Sequence, residues 1–205
     1  MPVTVDGNNT PTAGGVGYGD GTELAFTTAG SAGQFLQSNG SGAPTWAAAL
    51  TTTANNTFTG TQTFTGTSSV LAMVLNDAAE TTTISATAAT GTINYDITTQ
   101  SVLFYTTNAS GNFTVNLRAS SGTSLNTALA VGQSVTVVFL VTNGVSAFVN
   151  NVVQVDGTTS GVTTRWQGGT APSSGNASSV DVYSYTVIKT ANATFSVFAS
   201  QTRFA

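Results

Sequence analysis

Strict alternation of apolar and polar residues in the second half of the chain restricts its fold more than any other feature. In residues 112–118, Phe113, Val115 and Leu117 point to one face of an extended chain, and polar residues point to the other. Residues 134–142 carry apolar side chains on both faces, which predicts a central strand covered by an opposing sheet on one side and by a further layer, such as another subunit, on the other. A period of two is that of a β-strand, so an all-β fold is predicted.

Turn signals at regular spacing divide residues 69–205 into about ten short segments of this kind, the first of which is a predicted strand at residues 70–75. Asn143-Gly144 is the strongest hairpin signal and predicts that the chain returns through residues 146–156. Residues 190–193 are predicted to join the two closing strands, and residues 124–130 to form one helical turn. Many short strands with regular turns predict an antiparallel β-sandwich, jelly-roll-like, over residues 69–205, a region called the head below.

A short internal repeat precedes this region. Phe58 and Phe64 each begin a Phe-Thr-Gly unit, and their even separation places both rings on one face of an extended chain. Two rings do not form a core alone, but copies from neighbouring chains around a threefold axis would bury them together. Residues 54–68 are therefore interpreted as a short trimeric neck; the alternative is that the repeat reflects only the threonine-rich composition.

Residues 1–53 are rich in Gly, Ala, Thr and Ser, and their hydrophobic residues are too sparse to close a core. This composition predicts an extended attachment arm with short turns and strands near residues 16–24. Such an arm gains order by lying on a partner, which suits a permanent assembly.

The scarcity of charge excludes several classes of partner. Charged residues are 6% of the chain, and its four basic residues are dispersed: Arg118, Arg165, Lys189 and Arg203. With a formal net charge of −4, no basic groove for nucleic acid or anionic lipid is expected. The longest apolar stretch, near residues 128–149, alternates too well for a membrane helix, so no membrane insertion is predicted. The chain has no cysteine, so neither disulfides nor thiolate metal sites form.

Catalytic chemistry is not predicted either. The chain has no His or Cys, and its only close carboxylate pairs are Asp20/Glu23 and Asp77/Glu80, neither in a glycosidase context. A glycan-cleaving spike remains the enzymatic alternative. Residues 6–9 offer oxygen ligands but lack the spacing of a calcium loop, so no metal and no cofactor is expected, with bound calcium as the alternative.

Residues 28–46 resemble a linker common in phage tail fibres and related virion proteins. That linker has a strand, a turn and a second extended piece, which match here Gly33-Gln34-Phe35-Leu36, Ser38-Asn39-Gly40 and Pro44-Thr45-Trp46. Trp46 is expected to pack within the subunit or trimer, with sugar binding as the alternative. The repeat in residues 55–66 is similar to shaft repeats of phage fibres.

The region from about residue 93 to residue 205 resembles a domain recurrent in virion structural proteins of phages that infect marine cyanobacteria. The resemblance implies a non-enzymatic structural component of a virion, made in the host cytoplasm and released by lysis. It implies a homo-oligomer, a trimer by the neck interpretation, attached to other virion proteins through residues 1–53. Tail fibre, neck fibre and capsid decoration protein all remain open as locations.

One long irregular insertion is predicted at residues 157–179, where structureless loops of this length are uncommon unless functional. Its single large apolar side chain is Trp166, flanked by Arg165 and Gln167 and followed by Asn176. Two alternatives follow for these four residues. Stacked on host-surface glycan, the ring would make the head an adhesin or receptor-binding tip; buried between subunits, it would stabilise the trimer.

Overall fold

The computed structural model describes residues 13–22, 24–49, 58, 60–76 and 78–205. The calcium alternative at residues 6–9, the start of the repeat, Glu23 and Asp77 lie outside the described residues. Contacts divide the chain into two units, Met1–Val74 and Leu75–Ala205. The division falls beyond the predicted end of the neck at residue 68. Within the described part of the chain, no helix is long and apolar enough to cross a bilayer.

The first unit contains two small hairpins. Strand β1 (Gly17–Gly19) pairs antiparallel with β2 (Leu24–Phe26), and β3 (Gln34–Asn39) with β4 (Gly42–Ala48). Gly40 has a positive φ of 70° in the second turn, which glycine adopts without strain. The strand, turn and strand predicted for residues 34–46 are therefore confirmed.

Trp46 contacts its own subunit. Its indole nitrogen donates a hydrogen bond to the Thr28 carbonyl at 2.7 Å. The ring lies so close to Gly30 that a Cβ there would come within 2.6 Å of Cδ2. Only glycine fits beneath this ring.

The second unit consists almost entirely of strands. Its elements are β5 (Thr82–Ala88), β6 (Gly91–Asp96), β7 (Val102–Thr107), β8 (Phe113–Arg118), α1 (Leu125–Ala128), β9 (Ser134–Asn143), β10 (Asn150–Val155), β11 (Val162–Trp166), β12 (Ser179–Ala191) and β13 (Thr194–Phe204). A six-stranded sheet has the order β11-β13-β12-β9-β7-β5, and a three-stranded sheet the order β10-β8-β6. The all-β prediction is confirmed, as are the helical turn at α1 and the antiparallel pair β12–β13.

One hydrophobic core takes side chains from both sheets. Phe139 of β9 lies at its centre, where its ring makes edge-to-face contacts with Tyr95, Tyr105 and Phe113 at centroid distances of 6.5, 5.1 and 5.8 Å. Phe113 and Tyr95 belong to the three-stranded sheet, so these contacts join the two layers. The inward residues predicted for β8, Phe113, Val115 and Leu117, are all buried.

The predicted antiparallel pairing is wrong for most of this unit. From β5 to β10, consecutive strands alternate between the two sheets, so each strand pairs with the next but one and runs parallel to it. The chain thus winds through three turns of a flattened coil. Antiparallel pairing, which a jelly roll requires, occurs among β9, β12 and β13, while β11 pairs parallel with β13.

The hairpin predicted at Asn143-Gly144 is also wrong, because β9 and β10 lie in different sheets. A two-residue hairpin of this sequence needs positive φ at both positions, and neither residue has it. Instead the buried Asn143 amide accepts a hydrogen bond from the Phe148 backbone N–H at 3.0 Å. A Cβ on Gly144 would come within 2.8 Å of Asn108 Nδ2, so Gly144 permits close packing rather than a turn.

Two further expectations need correction. Residues 70–75, predicted to be a strand, belong to no strand and to no sheet of the described chain. The insertion at 157–179 is not wholly irregular, because it contains β11 and one turn of 3-10 helix at Gln167–Gly169. β11 lies at the edge of the six-stranded sheet. Glycines and Pro172 of the insertion follow this strand, and proline is not expected within a central strand.

Candidate interaction surfaces

The two neck phenylalanines are uncovered in the single chain. Phe58 is 55% exposed and Phe64 is 58% exposed. The described residues 60–67 belong to no strand, so no sheet of the described chain includes this part of the repeat. The rings remain available for contact with another molecule.

The exposed apolar surface continues beyond the neck. Five large side chains between residues 70 and 75 are 51–80% exposed, namely Val70, Leu71, Met73, Val74 and Leu75. Sequence reasoning missed their exposure because it treated the run as a strand of the predicted sandwich. Their density in a charge-free segment is the signal that would have identified them.

The insertion brings three of its four predicted residues together. Arg165 and Trp166 end β11, and Gln167 follows in the 3-10 turn. Together with Phe198 of β13 they line a concavity of about 470 Å³. Arg165 is exposed, whereas the Trp166 ring is half-buried and packs against the core of its own unit.

Asn176 is not part of this concavity. Its backbone N–H and side-chain amide donate to the two carboxylate oxygens of Asp181 at 3.0 and 2.7 Å. Its donors are therefore used inside the head, and the predicted set of four residues is divided between two places.

Asp181 is a buried carboxylate that sequence reasoning missed as a structural centre. It is 0% exposed and accepts two further hydrogen bonds, from Asn143 Nδ2 at 3.1 Å and Gln201 Nε2 at 2.9 Å. Amide groups supply all four bonds, so the anion is held without a basic side chain. The signal was its register, because Asp181 is in phase along β12 with the buried Tyr183, Tyr185 and Val187.

Buried tyrosines extend this polar network. Tyr185 donates to Asn150 Oδ1 at 3.1 Å, and the Tyr183 hydroxyl accepts from the Asn150 backbone N–H at 3.3 Å. Loss of solvent raises the pKa of Tyr95, Tyr183 and Tyr185 above the ordinary tyrosine value. All three are neutral at physiological pH and serve as hydrogen-bonding core residues.

Two charged side chains stabilise the short helix α1 from its two ends. Asp156 accepts hydrogen bonds from the backbone N–H groups of Leu125 and Asn126 at 2.6 and 2.9 Å. Lys189 donates to the carbonyls of Asn126 and Leu129 at 2.5 and 2.9 Å. Each charge faces the end of the helix that attracts it.

Two further charged side chains, one acidic and one basic, pair with each other. Asp96 and Arg118 form an ion pair at 2.5 Å on the three-stranded sheet. Across the described ranges, no three His, Cys, Asp or Glu side chains lie close enough together to hold a metal ion.

Comparison with known proteins assigns no family: no family model, curated protein or solved structure matches the chain.

Proposed function

We propose that the chain is a non-enzymatic structural component of a phage virion, a homotrimeric fibre or knob-like appendage that acts in assembly. Residues 1–53 attach it to other virion proteins, residues 54–68 form the neck, and the two-sheet unit is a sandwich-like head. The protein is made in the host cytoplasm and reaches its place on the virion before lysis releases the particle.

The observation that carries the proposal is the run of uncovered apolar side chains between Phe58 and Leu75, which precedes in sequence a unit that closes its own core. A monomer would leave these side chains in water, whereas a trimer buries three copies together. The hairpin at residues 34–48, with Trp46 seated on Gly30, supports the phage context because it has the strand, turn and strand of the fibre linker.

The neck is tested by replacing Phe58 and Phe64 together with Ser. We expect the molar mass from light scattering to fall below that of three chains, because the apolar contact of the neck is removed. Val145→Ser, at an 89% exposed loop position, is the matched control and should leave the mass unchanged. An unchanged mass in the double variant would reject the neck as the main subunit contact.

A second candidate function is a glycan- or receptor-binding tip, which the concavity beside β11 favours. An aromatic wall of Trp166 and Phe198 with the polar groups of Arg165 and Gln167 is the combination that sugar recognition uses. Because Trp166 also packs against the core, its removal would lower stability as well as binding. Arg165→Ala with Gln167→Ala tests binding alone.

Under the adhesin function, this double variant keeps the parent melting temperature and loses adsorption to host cells. Adsorption equal to the parent would leave the concavity without a receptor role. Virion density from electron microscopy would then place the protein on the tail, the neck or the capsid, including the capsid decoration alternative.

A further inference from the structure

The six-stranded sheet has a second face, turned away from the core. Along β9, the buried Val137, Phe139 and Val141 alternate with Val138 and Leu140, which are only half-buried. The outer face is defined by the half-buried apolar residues that point away from the core on the neighbouring strands β7, β9 and β12: Val102, Phe104, Val138, Leu140, Val180 and Val182.

Strand register brings these residues side by side. Phe104 pairs with Leu140, and Leu140 pairs with Val182. Ile84 of β5, which is 69% exposed, pairs with Phe104 and extends the row. A continuous line of four large apolar side chains therefore crosses four strands.

The rest of this side of the sheet is nearly free of charge. Serines and threonines occupy most other outward positions, and the hydroxyls of Thr136 and Thr186 bond to each other at 2.8 Å. Arg165 stands apart at the β11 edge. A sheet face that is exposed to water normally carries polar and charged side chains. The outward positions of β7, β9 and β12 instead include the six apolar residues named above.

We propose that a second copy of this chain covers the outer face, so that the sheets of neighbouring copies pack towards a common symmetry axis. This inference rests on the proposed homo-oligomer and names the surface through which the heads join. It adds a head contact to the neck contact.

Area and charge select a second copy as the occupant. Strand spacing of about 4.8 Å and rise of about 3.3 Å per residue give the whole six-stranded sheet, with its polar outward positions included, a face of roughly 700 Å². That is close to the roughly 800 Å² that each partner of a stable interface buries. A charged partner would lose its hydration against Leu140 and Val182 without any counter-charge, whereas the same uncharged face of another copy has no such cost.

The absence of cysteine from the chain makes a direct test possible. Leu140→Cys places a single thiol on the outer face, and Val145→Cys places one on an 89% exposed loop as the control. The rate of maleimide labelling of the full chain is measured over a dilution series, with light scattering at each concentration. Val182→Cys repeats the test on the neighbouring strand if the first variant folds poorly.

We expect the thiol at position 140 to react about tenfold more slowly in the oligomer than after dilution to monomer, while the rate at position 145 stays constant. If an oligomer forms and labelling at 140 does not change with dilution, the head contact is wrong and the proposed oligomeric function stands. If the parent is a monomer throughout, both fail. Protection that persists in a monomer also overturns the inference, because the chain itself would then cover the face.

Discussion

Residues 58–75 leave their large apolar side chains exposed, whereas residues 82–204 bury many of theirs in a core. Every buried hydrophobic side chain among the described residues lies between Ala89 and Ala199, whereas the seven large apolar side chains described between residues 58 and 75 are all more than half exposed. Hydrophobic content does not explain the contrast, since Val70–Leu75 is as apolar as any strand. What differs is the second layer: the C-terminal unit packs one sheet on another, and the segment before it has no opposing sheet within the described chain.

The largest effect should come from matched Phe→Ala changes in the two regions. Phe139→Ala removes the ring that joins both sheets and is expected to lower the free energy of unfolding of the head by about 3–5 kcal/mol. Phe64→Ala, at a 58% exposed position, should leave that value within about 0.5 kcal/mol. Denaturant unfolding followed by near-ultraviolet circular dichroism measures both. Equal losses would mean that the neck packs on the head core.

Alkaline pH should destabilise the head through its buried tyrosines. Burial raises the folded pKa of Tyr95, Tyr183 and Tyr185 above the unfolded value of 10.0. The free energy of unfolding is therefore unaffected by ionisation of these tyrosines below pH 10. Above pH 10 it falls, because the unfolded chain then releases protons that the folded chain keeps.

The expected slope is about 1.4 kcal/mol per pH unit for each tyrosine that stays protonated. Absorbance at the tyrosinate band, recorded with circular dichroism, should show ionisation of Tyr95, Tyr183 and Tyr185 only as the head unfolds. Tyr185→Phe removes one ionising group and should make the slope shallower. Titration of these rings in a fully folded head would contradict the expectation.

A smaller loss is expected from the buried carboxylate. Asp181→Asn places an amide nitrogen among donors from Asn143, Asn176 and Gln201, so at least one hydrogen bond is lost and should cost about 2–3 kcal/mol. Asp96→Asn is the matched control, because Asp96 belongs to a partly exposed ion pair and should change stability by less than about 1 kcal/mol. Similar melting temperatures for the two variants would mean that burial of Asp181 adds nothing.

Local sequence predicted the strands well and their partners poorly. Alternation located β8 and β9, and the turn residues located the hairpins β3–β4 and β12–β13. The parallel coil was missed because alternation states which face a residue occupies, not which strand lies beside it. Asn143-Gly144 shows this directly, since a strong hairpin pair becomes a crossing between sheets once Asn143 bonds to Phe148 and Asp181.

The candidate surfaces divide in the same way. Adjacent residues such as Arg165, Trp166 and Gln167 stay together in the fold because they end one strand. Asn176 is separated from them because the conformation of residues 170–178 directs it to Asp181, a partner that only the tertiary fold supplies. The outer face was partly foreseen, because the two apolar sides of residues 134–142 predicted a second covering layer.

The smallest effect on stability is expected from removing residues 1–66, which include both Phe58 and Phe64. A chain shortened to begin at Thr67 keeps every strand of the two-sheet unit and all of its buried hydrophobic residues. Its head should unfold within about 0.5 kcal/mol of the parent, since no core side chain is lost. If residues 1–53 are the attachment arm, the shortened chain should nevertheless fail to add to particles that lack the protein, as measured by its amount in purified virions. Efficient incorporation would place the attachment surface on the head, whereas a large loss of stability would show that the head depends on the region before Thr67 and that the two regions do not fold separately.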